Sequence, residues 1–164
     1  MNELINSIKK LRQISGAGFL DCKKVLKEND NDIEKSIDSL RKKGLAKASK
    51  KSLRKANEGA VGIFFNKNKA LLLEINTETD FAAKNDIFLD FMNQIGNFTL
   101  EVSDLKITSE EFSKLKFNDK EVSEYFTDII SKIGENIVLS KLIFLQIPSE
   151  TLISTYIHNS YKNN

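Results

Sequence analysis

The sequence predicts an α+β protein in which a small N-terminal helical domain precedes a core of antiparallel strands and helices. Apolar residues recur at helical spacing through residues 3–40. Two β-rich runs, 59–65 and 69–76, then flank a short polar turn. Helical spacing returns further along the chain and leads to a β-branched run, 137–147. We therefore expect helices packed on one face of an antiparallel sheet.

The first predicted helix covers residues 3–13. Leu4, Ile8 and Leu11 lie on one face at this spacing, as in an amphipathic helix. The sequence Ser-Gly-Ala-Gly at residues 15–18 then breaks the pattern. A second helix is expected to begin after this break.

Two further short helices complete the N-terminal region. The second helix covers residues 19–29 and directs three residues inward: Leu20, Val25 and Leu26. Asn31, with Glu34 three residues later, resembles a capping box that opens the third helix. Gly44 occupies the position favoured after a helix C-terminus, so the third helix is predicted to end there.

The chain divides into three predicted segments. The helical domain spans residues 1–44, and its core is thin enough that we expect it to dock against something larger. Residues 45–57 form a basic linker, either a connecting helix or a mobile tether, and the core domain covers 58–164. From Arg41 to Lys55 there are eight basic residues and no acidic one. A solvated helix face explains this run, and contact with RNA or the ribosome is the alternative.

The core domain continues with helices and strands after the predicted hairpin. A helix over residues 86–100 carries a wide apolar stripe made of Ile87, Phe88, Phe91, Met92 and Ile95. A short helix at 109–115 and a longer one at 120–133 follow. The apolar runs 137–147 and 152–157 are expected to supply one or two more strands.

The composition excludes several classes of function. Hydrophobic residues make up 40% of the 164 residues and charged residues 29%, a balance typical of globular proteins. No apolar run approaches the roughly 20 residues that span a bilayer, and the N-terminus lacks a signal-peptide pattern, so we expect a cytoplasmic protein. One cysteine and one histidine exclude an internal disulfide and a Cys/His zinc site. We expect no catalytic residue, no metal site and no cofactor.

The remaining candidates for chemistry have structural explanations. Residues 16–18 lack the preceding strand that a dinucleotide-binding loop requires, so they are interpreted as a turn. Cys22 is interpreted as a semi-buried small residue, and His158 as a hydrogen-bonded residue near the end of a strand. Glu78 and Asp80 would lie on one side of an extended segment, as a catalytic pair of carboxylates would. A small hydrolase is therefore a further alternative, although no nearby base or phosphate loop supports it.

Phe81 is the least expected residue in the core domain. It stands inside a polar stretch, residues 74–85, directly after a β-rich run. If the next helix included it, its neighbours on that face would be Lys84 and Asn85 rather than the apolar stripe. Phe81 is therefore either a buried plug or an exposed knob for a partner, and the spacing leaves both open. Asp80 beside it is interpreted as a helix cap.

Four groups of motifs occur in order along almost the whole chain. They are Gly16-Ala-Gly-Phe-Leu-Asp-Cys-Lys-Lys24 with Leu40-Arg-Lys-Lys-Gly44, Leu73-Glu-Ile-Asn76 with Glu78-Thr-Asp-Phe81, Lys132-Ile-Gly-Glu-Asn-Ile137, and Tyr156-Ile-His158. In this order and spacing they resemble the elongation factor Ts family, the bacterial nucleotide-exchange factors for the GTPase elongation factor Tu.

The resemblance implies a nucleotide-exchange factor that performs no covalent chemistry. In the family, the pair that corresponds to Asp80 and Phe81 lies on an exposed turn and enters the GTPase near its magnesium and phosphate site. The implied primary contacts are Thr79, Asp80, Phe81, Ala82, Ile133 and Gly134. The implied secondary contacts, in the helical domain, are Gly16, Ala17, Gly18 and Phe19. The expected partner is elongation factor Tu, either GDP-bound or nucleotide-free, and no contact with DNA or a membrane is expected.

The resemblance also implies a fold. The helical domain would be of the ubiquitin-associated type, and the core would consist of two halves. In the family the pattern continues beyond the position of Asn164, so we expect the second core half to be missing from this sequence. The alternative is a homodimer in which a second copy of the chain completes the core sheet.

Overall fold

The computed structural model describes residues 2–102 and 106–158. The N-terminal helices are α1 (Asn2–Ser15), α2 (Phe19–Glu28) and α3 (Ile33–Lys51). After α3 the chain forms β1 (Glu58–Phe65), β2 (Lys69–Thr77), α4 (Asp80–Ala83) and α5 (Asp86–Val102). It continues with α6 (Ser109–Lys114), β3 (Lys116–Phe117), β4 (Lys120–Glu121), α7 (Val122–Ile133) and β5 (Ile137–Gln146). The predicted α+β class is confirmed.

The helices α1 to α3 surround a small apolar core of their own. Its buried members are Ile8, Leu11, Cys22, Val25 and Leu26. The prediction that Leu20 points inward is wrong, because its side chain is 77% exposed. Leu20 lies two residues from Cys22, which places it about 200° around the helix from the buried stripe.

The third helix begins one residue later than predicted. The side chain of Asp32 accepts a hydrogen bond from the backbone N–H of Lys35 at 3.0 Å, so Asp32 is the N-cap. Asn31 has a φ of 64°, a left-handed conformation that an N-cap residue does not adopt. The predicted capping box of Asn31 and Glu34 is therefore wrong.

Gly44 lies inside α3 rather than at its end. A Cβ atom at this position would be 3.0 Å from Ser131 Oγ of α7, so the missing side chain allows the two helices to approach closely. The helix continues to Lys51, which means that the predicted linker 45–57 starts within it as a connecting helix. One helix thus joins the helical domain to the core.

The main sheet has the strand order β1-β2-β5, with both pairs antiparallel. The predicted hairpin is confirmed, and Phe64 lies opposite Leu71 in its register. The Asn66 side chain accepts hydrogen bonds from the backbone N–H groups of Asn68 and Lys69, which stabilises the turn. A second, two-stranded sheet formed by β3 and β4 was not predicted, since each strand has only two residues.

One face of the main sheet is covered by α4, α5 and α7. The core formed there includes Leu71, Leu73, Ile75, Phe88, Phe91, Met92, Ile95 and Ile137. The predicted stripe of α5 is confirmed except at Ile87, which is 50% exposed. Ile87 lies about 100° around the helix from Phe88, at the margin of the stripe.

The chain leaves the sheet after Ile147, whose N–H donates to Asn68 O. Of the one or two further strands expected from 137–147 and 152–157, the first run forms β5 and the second forms no strand. His158 accordingly lies in a turn and not near the end of a strand. Pro148 lacks the N–H that would continue the ladder, and Glu150 adopts a left-handed φ of 62° that turns the backbone away.

The opposite face of the main sheet carries exposed apolar side chains. We define this outer face by Val61, Phe65, Leu72, Ile143 and Leu145, which alternate with the core-facing residues. Val61, Phe65, Ile143 and Leu145 are each 46–53% exposed. A contiguous apolar surface of this kind is typical of an interface.

Replacing Gly44 tests why α3 carries a glycine in its interior. Alanine is favoured over glycine in a helix by about 1 kcal/mol, but here its Cβ would press on Ser131 Oγ. We expect Gly44→Ala to increase the free energy of unfolding in a Ser131→Ala background, and to increase it less or reduce it in the wild-type background. Urea unfolding of the four proteins measures this. Equal destabilisation in both backgrounds would show that close helix packing is not the reason for Gly44.

The outer face predicts self-association through the core sheet. At about 100 μM the chain should form a homodimer, because exposed strand edges and apolar sheet faces promote pairing. Leu145→Lys should return it to a monomer in sedimentation experiments. Leu152→Lys is the matched control, since Leu152 is 95% exposed but lies outside the sheet. A monomeric wild-type chain at this concentration would contradict the prediction.

Candidate partner-binding site

Phe81 projects from the surface of the core. Its side chain is 83% exposed, whereas Ala82 and Ala83 in the same short helix are buried. Helix α4 has only four residues, of which Ala82 and Ala83 face the core and Phe81 faces away from it. Of the two alternatives, the structure supports the exposed knob over the buried plug.

The cap of α4 is Thr79 and not Asp80. Thr79 Oγ1 accepts a hydrogen bond from the backbone N–H of Ala82 at 3.3 Å. Asp80 instead pairs with Lys84, at 2.7 Å between Oδ2 and Nζ. This hydrogen bond from Lys84 holds the pKa of Asp80 below its ordinary value. Asp80 therefore remains a carboxylate beside Phe81 at neutral pH.

Two carboxylates hold the turn that carries Phe81. Glu135 accepts from the backbone N–H of Thr79 at 3.0 Å and from the Thr79 hydroxyl at 2.7 Å. In the opposite direction, Glu78 accepts from the backbone N–H of Asn136 at 2.5 Å. We call the four residues Glu78, Thr79, Glu135 and Asn136 the clasp. It joins the turn after β2 to the turn between α7 and β5.

The clasp is also connected to the segment that follows α3. The side-chain amide of Asn136 donates to Arg54 O at 2.7 Å, and the Arg54 guanidinium lies 3.5 Å from Glu78. Burial lowers the pKa of Lys51, the last residue of α3, while the charges of Glu78 and Glu135 act in the opposite direction. The basic end of α3 therefore faces the two acidic residues of the clasp.

The structure brings the two predicted contact segments together. Gly134 is exposed and has a φ of 88°, which allows the chain to turn out of α7 directly before Glu135. Ile133 is half-buried and packs against the main core. The Thr79 hydroxyl already donates a hydrogen bond to Glu135, and Ala82 is only 5% exposed. Among the predicted primary contacts Phe81 and Gly134 are exposed, and the Asp80 side chain is 46% exposed.

Glu135 is the important residue that the sequence analysis did not single out. It belongs to the motif at residues 132–137, but its spacing to Thr79 along the chain is 56 residues. Glu78 belongs to the motif that contains Phe81, and its spacing predicts no role except a catalytic pair with Asp80. These two carboxylates do not converge, since Glu78 accepts from Asn136 and Asp80 pairs with Lys84. The geometry gives no support to a hydrolase.

The predicted secondary contacts lie at the turn between α1 and α2. Gly16 has a φ of 66°, so the interpretation of this segment as a turn is confirmed. Phe19 is 46% exposed, and two apolar residues near it in the chain, Ile14 and Leu20, are 55% and 77% exposed. Gly18 is exposed and Ala17 is half-buried. This turn and the residues beside it therefore carry exposed apolar side chains.

The basic run from Arg41 to Lys55 is partly neutralised within the protein. Four of its residues form ion pairs with carboxylates of other elements: Arg41 with Glu124, Lys43 with Glu28, Lys47 with Asp21, and Arg54 with Glu78. These pairs connect α3 to α2, to α7 and to the clasp. The structure explains the run as a connecting surface, which does not favour the RNA-binding alternative.

The other chemical candidates form no site in the described parts of the chain. Cys22 is completely buried, more so than predicted, and this burial raises the pKa of its thiol. Tyr156 Oη lies 3.3 Å from His158 Nδ1 on the surface. Within residues 2–102 and 106–158, no cluster of histidine, cysteine and acidic residues has the arrangement of a metal site. None of the helices described has both the length and the apolar character needed to cross a bilayer.

Comparison with known proteins identifies similar sequences. The family model "Elongation factor TS" matches residues 78–163, which include the whole clasp. Elongation factor Ts of Allorhizobium ampelinum is 44% identical over 153 residues, covering 93% of this chain and 49% of the relative. Elongation factor Ts of Brucella anthropi is 41% identical over 152 residues, covering 93% and 48%. The chain spans about half the length of the curated relatives it matches.

Proposed function

The chain belongs to the elongation factor Ts family, and from this premise we propose that it is a translation elongation factor that acts in the cytoplasm. In this proposal it binds elongation factor Tu in its GDP-bound and nucleotide-free forms and promotes release of GDP, so that GTP can bind. The protein acts as an exchange factor and performs no covalent step.

The exposure of Phe81 is the observation that carries this proposal. An apolar ring that is 83% exposed contributes little to the core, but it can be buried by a partner. Burial of one phenylalanine side chain is worth roughly 1.5–3 kcal/mol. Because hydrogen bonds already hold the turn, little conformational entropy is lost when the partner binds.

Exchange follows from thermodynamic linkage. A protein that binds the nucleotide-free GTPase more tightly than the GDP-bound form must weaken GDP binding by the same factor. In our proposal, Phe81 and the Asp80 carboxylate enter the GTPase near the magnesium and phosphate end of the nucleotide site. A carboxylate there repels the phosphates and competes with them as a ligand of the magnesium ion, and the apolar ring offers the metal no ligand in return. Ile133 and Gly134 flank the same contact.

The helical domain provides a second contact in this proposal. The turn at residues 16–19 docks on the nucleotide-binding domain of elongation factor Tu from another side. Phe19 supplies exposed apolar area, but at 46% it is less exposed than Phe81 at 83%. We therefore assign affinity to this surface and the exchange step to the core.

Phe81→Ala should abolish most exchange activity and leave the fold intact. Because the ring is exposed, stability should change by far less than the roughly 3–5 kcal/mol of a buried Phe→Ala substitution. Binding of elongation factor Tu should weaken by about 2 kcal/mol or more. Release of a fluorescent GDP analogue and thermal unfolding, measured on the same preparations, test both statements. Leu152→Ala is the control, and wild-type release by folded Phe81→Ala protein would refute the proposal.

Phe19→Ala should affect affinity rather than the exchange step. The concentration of factor needed for half-maximal GDP release should increase, while the maximal rate should remain that of the wild type. The reason is that Phe19 lies in α2 of the helical domain, whereas Phe81 lies in α4 of the core. A titration of factor against a fixed amount of elongation factor Tu separates the two quantities. A lowered maximal rate at unchanged half-saturation would show that the division of roles is wrong.

A further inference from the structure

The clasp is reciprocal, which distinguishes it from an ordinary surface ion pair. Each of its two turns contributes one carboxylate and one backbone N–H, and each carboxylate binds the N–H of the other turn. Hydrogen bonds to a charged acceptor are stronger than neutral ones and require defined directions. Relative movement of the turns would therefore weaken both halves of the clasp at once.

Glu135 controls the side chain that caps α4. The Thr79 hydroxyl has a single hydrogen, and it is donated to Glu135 Oε1. This orientation leaves a lone pair of Thr79 Oγ1 for the backbone N–H of Ala82, which is the capping hydrogen bond. The direction of the cap is thus determined by a residue 56 positions further along the chain.

The cap in turn determines where Phe81 points. A four-residue helix is too short to be stable alone, so α4 depends on its cap and on the packing of its buried face. Ala82 and Ala83 form that face, and Phe81 lies on the other side. Without the cap, the first turn of α4 can unwind, and Phe81 then loses its defined direction.

Glu78 also connects this turn to Arg54, in the segment that follows α3. It accepts from the Asn136 N–H and pairs with Arg54, whose carbonyl oxygen accepts from the Asn136 side chain. The turn that carries Phe81 is thereby held from two directions. Neither Glu78 nor Glu135 is as exposed as Phe81, and their oxygens are already bonded within the protein.

We propose that Glu78 and Glu135 are positioning residues whose reciprocal hydrogen bonds hold Phe81 in the orientation that a protein partner binds. This inference rests on the proposed function for its effect on exchange. The clasp itself is a statement about the free protein and can be tested without a partner. Glu78 and Glu135 act through Phe81 and not by direct contact with the GTPase.

The first experiment measures amide hydrogen exchange of the free chain by NMR. In Glu135→Ala, the N–H groups of Thr79 and Ala82 should exchange at least about tenfold faster. Thr79 N–H loses its acceptor, the Glu135 carboxylate, and the acceptor of Ala82 N–H, Thr79 Oγ1, is no longer held in one orientation. Glu135→Gln should restore part of the protection, since its carbonyl can accept from Thr79 N–H while its amide donates to Thr79 Oγ1. Glu110→Ala, which removes an exposed carboxylate paired with Lys114 on α6, is the matched control. Unchanged protection of Ala82 in Glu135→Ala would overturn the proposal.

The second experiment is a double-mutant cycle with Phe81. Affinity for nucleotide-free elongation factor Tu is measured for the wild type, Glu135→Ala, Phe81→Ala and the double variant. Glu135→Ala should weaken binding about tenfold in the wild-type background and much less in the Phe81→Ala background. Thermal unfolding of each variant verifies that the compared proteins are folded. An equal loss in both backgrounds would show that Glu135 acts independently of Phe81 and would overturn the proposal.

The two experiments separate this inference from the proposed function. If the wild-type chain neither binds elongation factor Tu nor accelerates GDP release, the proposed function fails. Amide exchange then decides by itself whether the clasp orders the turn at Phe81. If exchange activity is present but the cycle is additive, the function stands and the positioning role is refuted.

Discussion

The reciprocal hydrogen bonds between two carboxylates and two backbone N–H groups are the constraint on which the exposed site depends. An exposed aromatic ring gains nothing from the core, so its position must be imposed by the backbone beneath it. Glu135 fixes this backbone by its hydrogen bonds from Thr79, and Glu78 fixes it by its hydrogen bond from Asn136. The strong and directional character of charge-assisted hydrogen bonds makes carboxylates suitable for this purpose.

The same region is where the helical domain and the core are joined. Helix α3 passes along α7, and the glycine at position 44 allows close contact with Ser131. Arg54, in the segment that follows α3, then contacts Glu78 and Asn136 of the clasp. Ion pairs from the basic run attach the same helix to α2 and α7. The apolar turn of the helical domain and the ring of Phe81 are therefore presented by connected elements.

Most of the fold could be predicted because its signals are local. The hairpin, α5 and α7 follow from residue periodicity and turn composition, which need only residues close in sequence. The errors occurred where a local signal has two explanations. Gly44 fits a helix end as well as a close helix contact, and only the neighbouring Ser131 distinguishes them. The apolar run at 152–157 has the composition of a strand but finds no place in the sheet.

The sequence by itself determined the α+β class, the order of the longer helices and strands up to β5, and the family to which the chain is similar, since periodicity and motifs are properties of neighbouring residues. It also located Phe81 as a residue out of phase with the core. Only the tertiary structure decided that this ring is exposed, that Thr79 is the cap and that Glu135 holds it. The physical reason is that the cap itself spans only three residues, but the hydrogen bonds that orient Thr79 and hold its turn join residues more than 50 positions apart, where no local pattern exists.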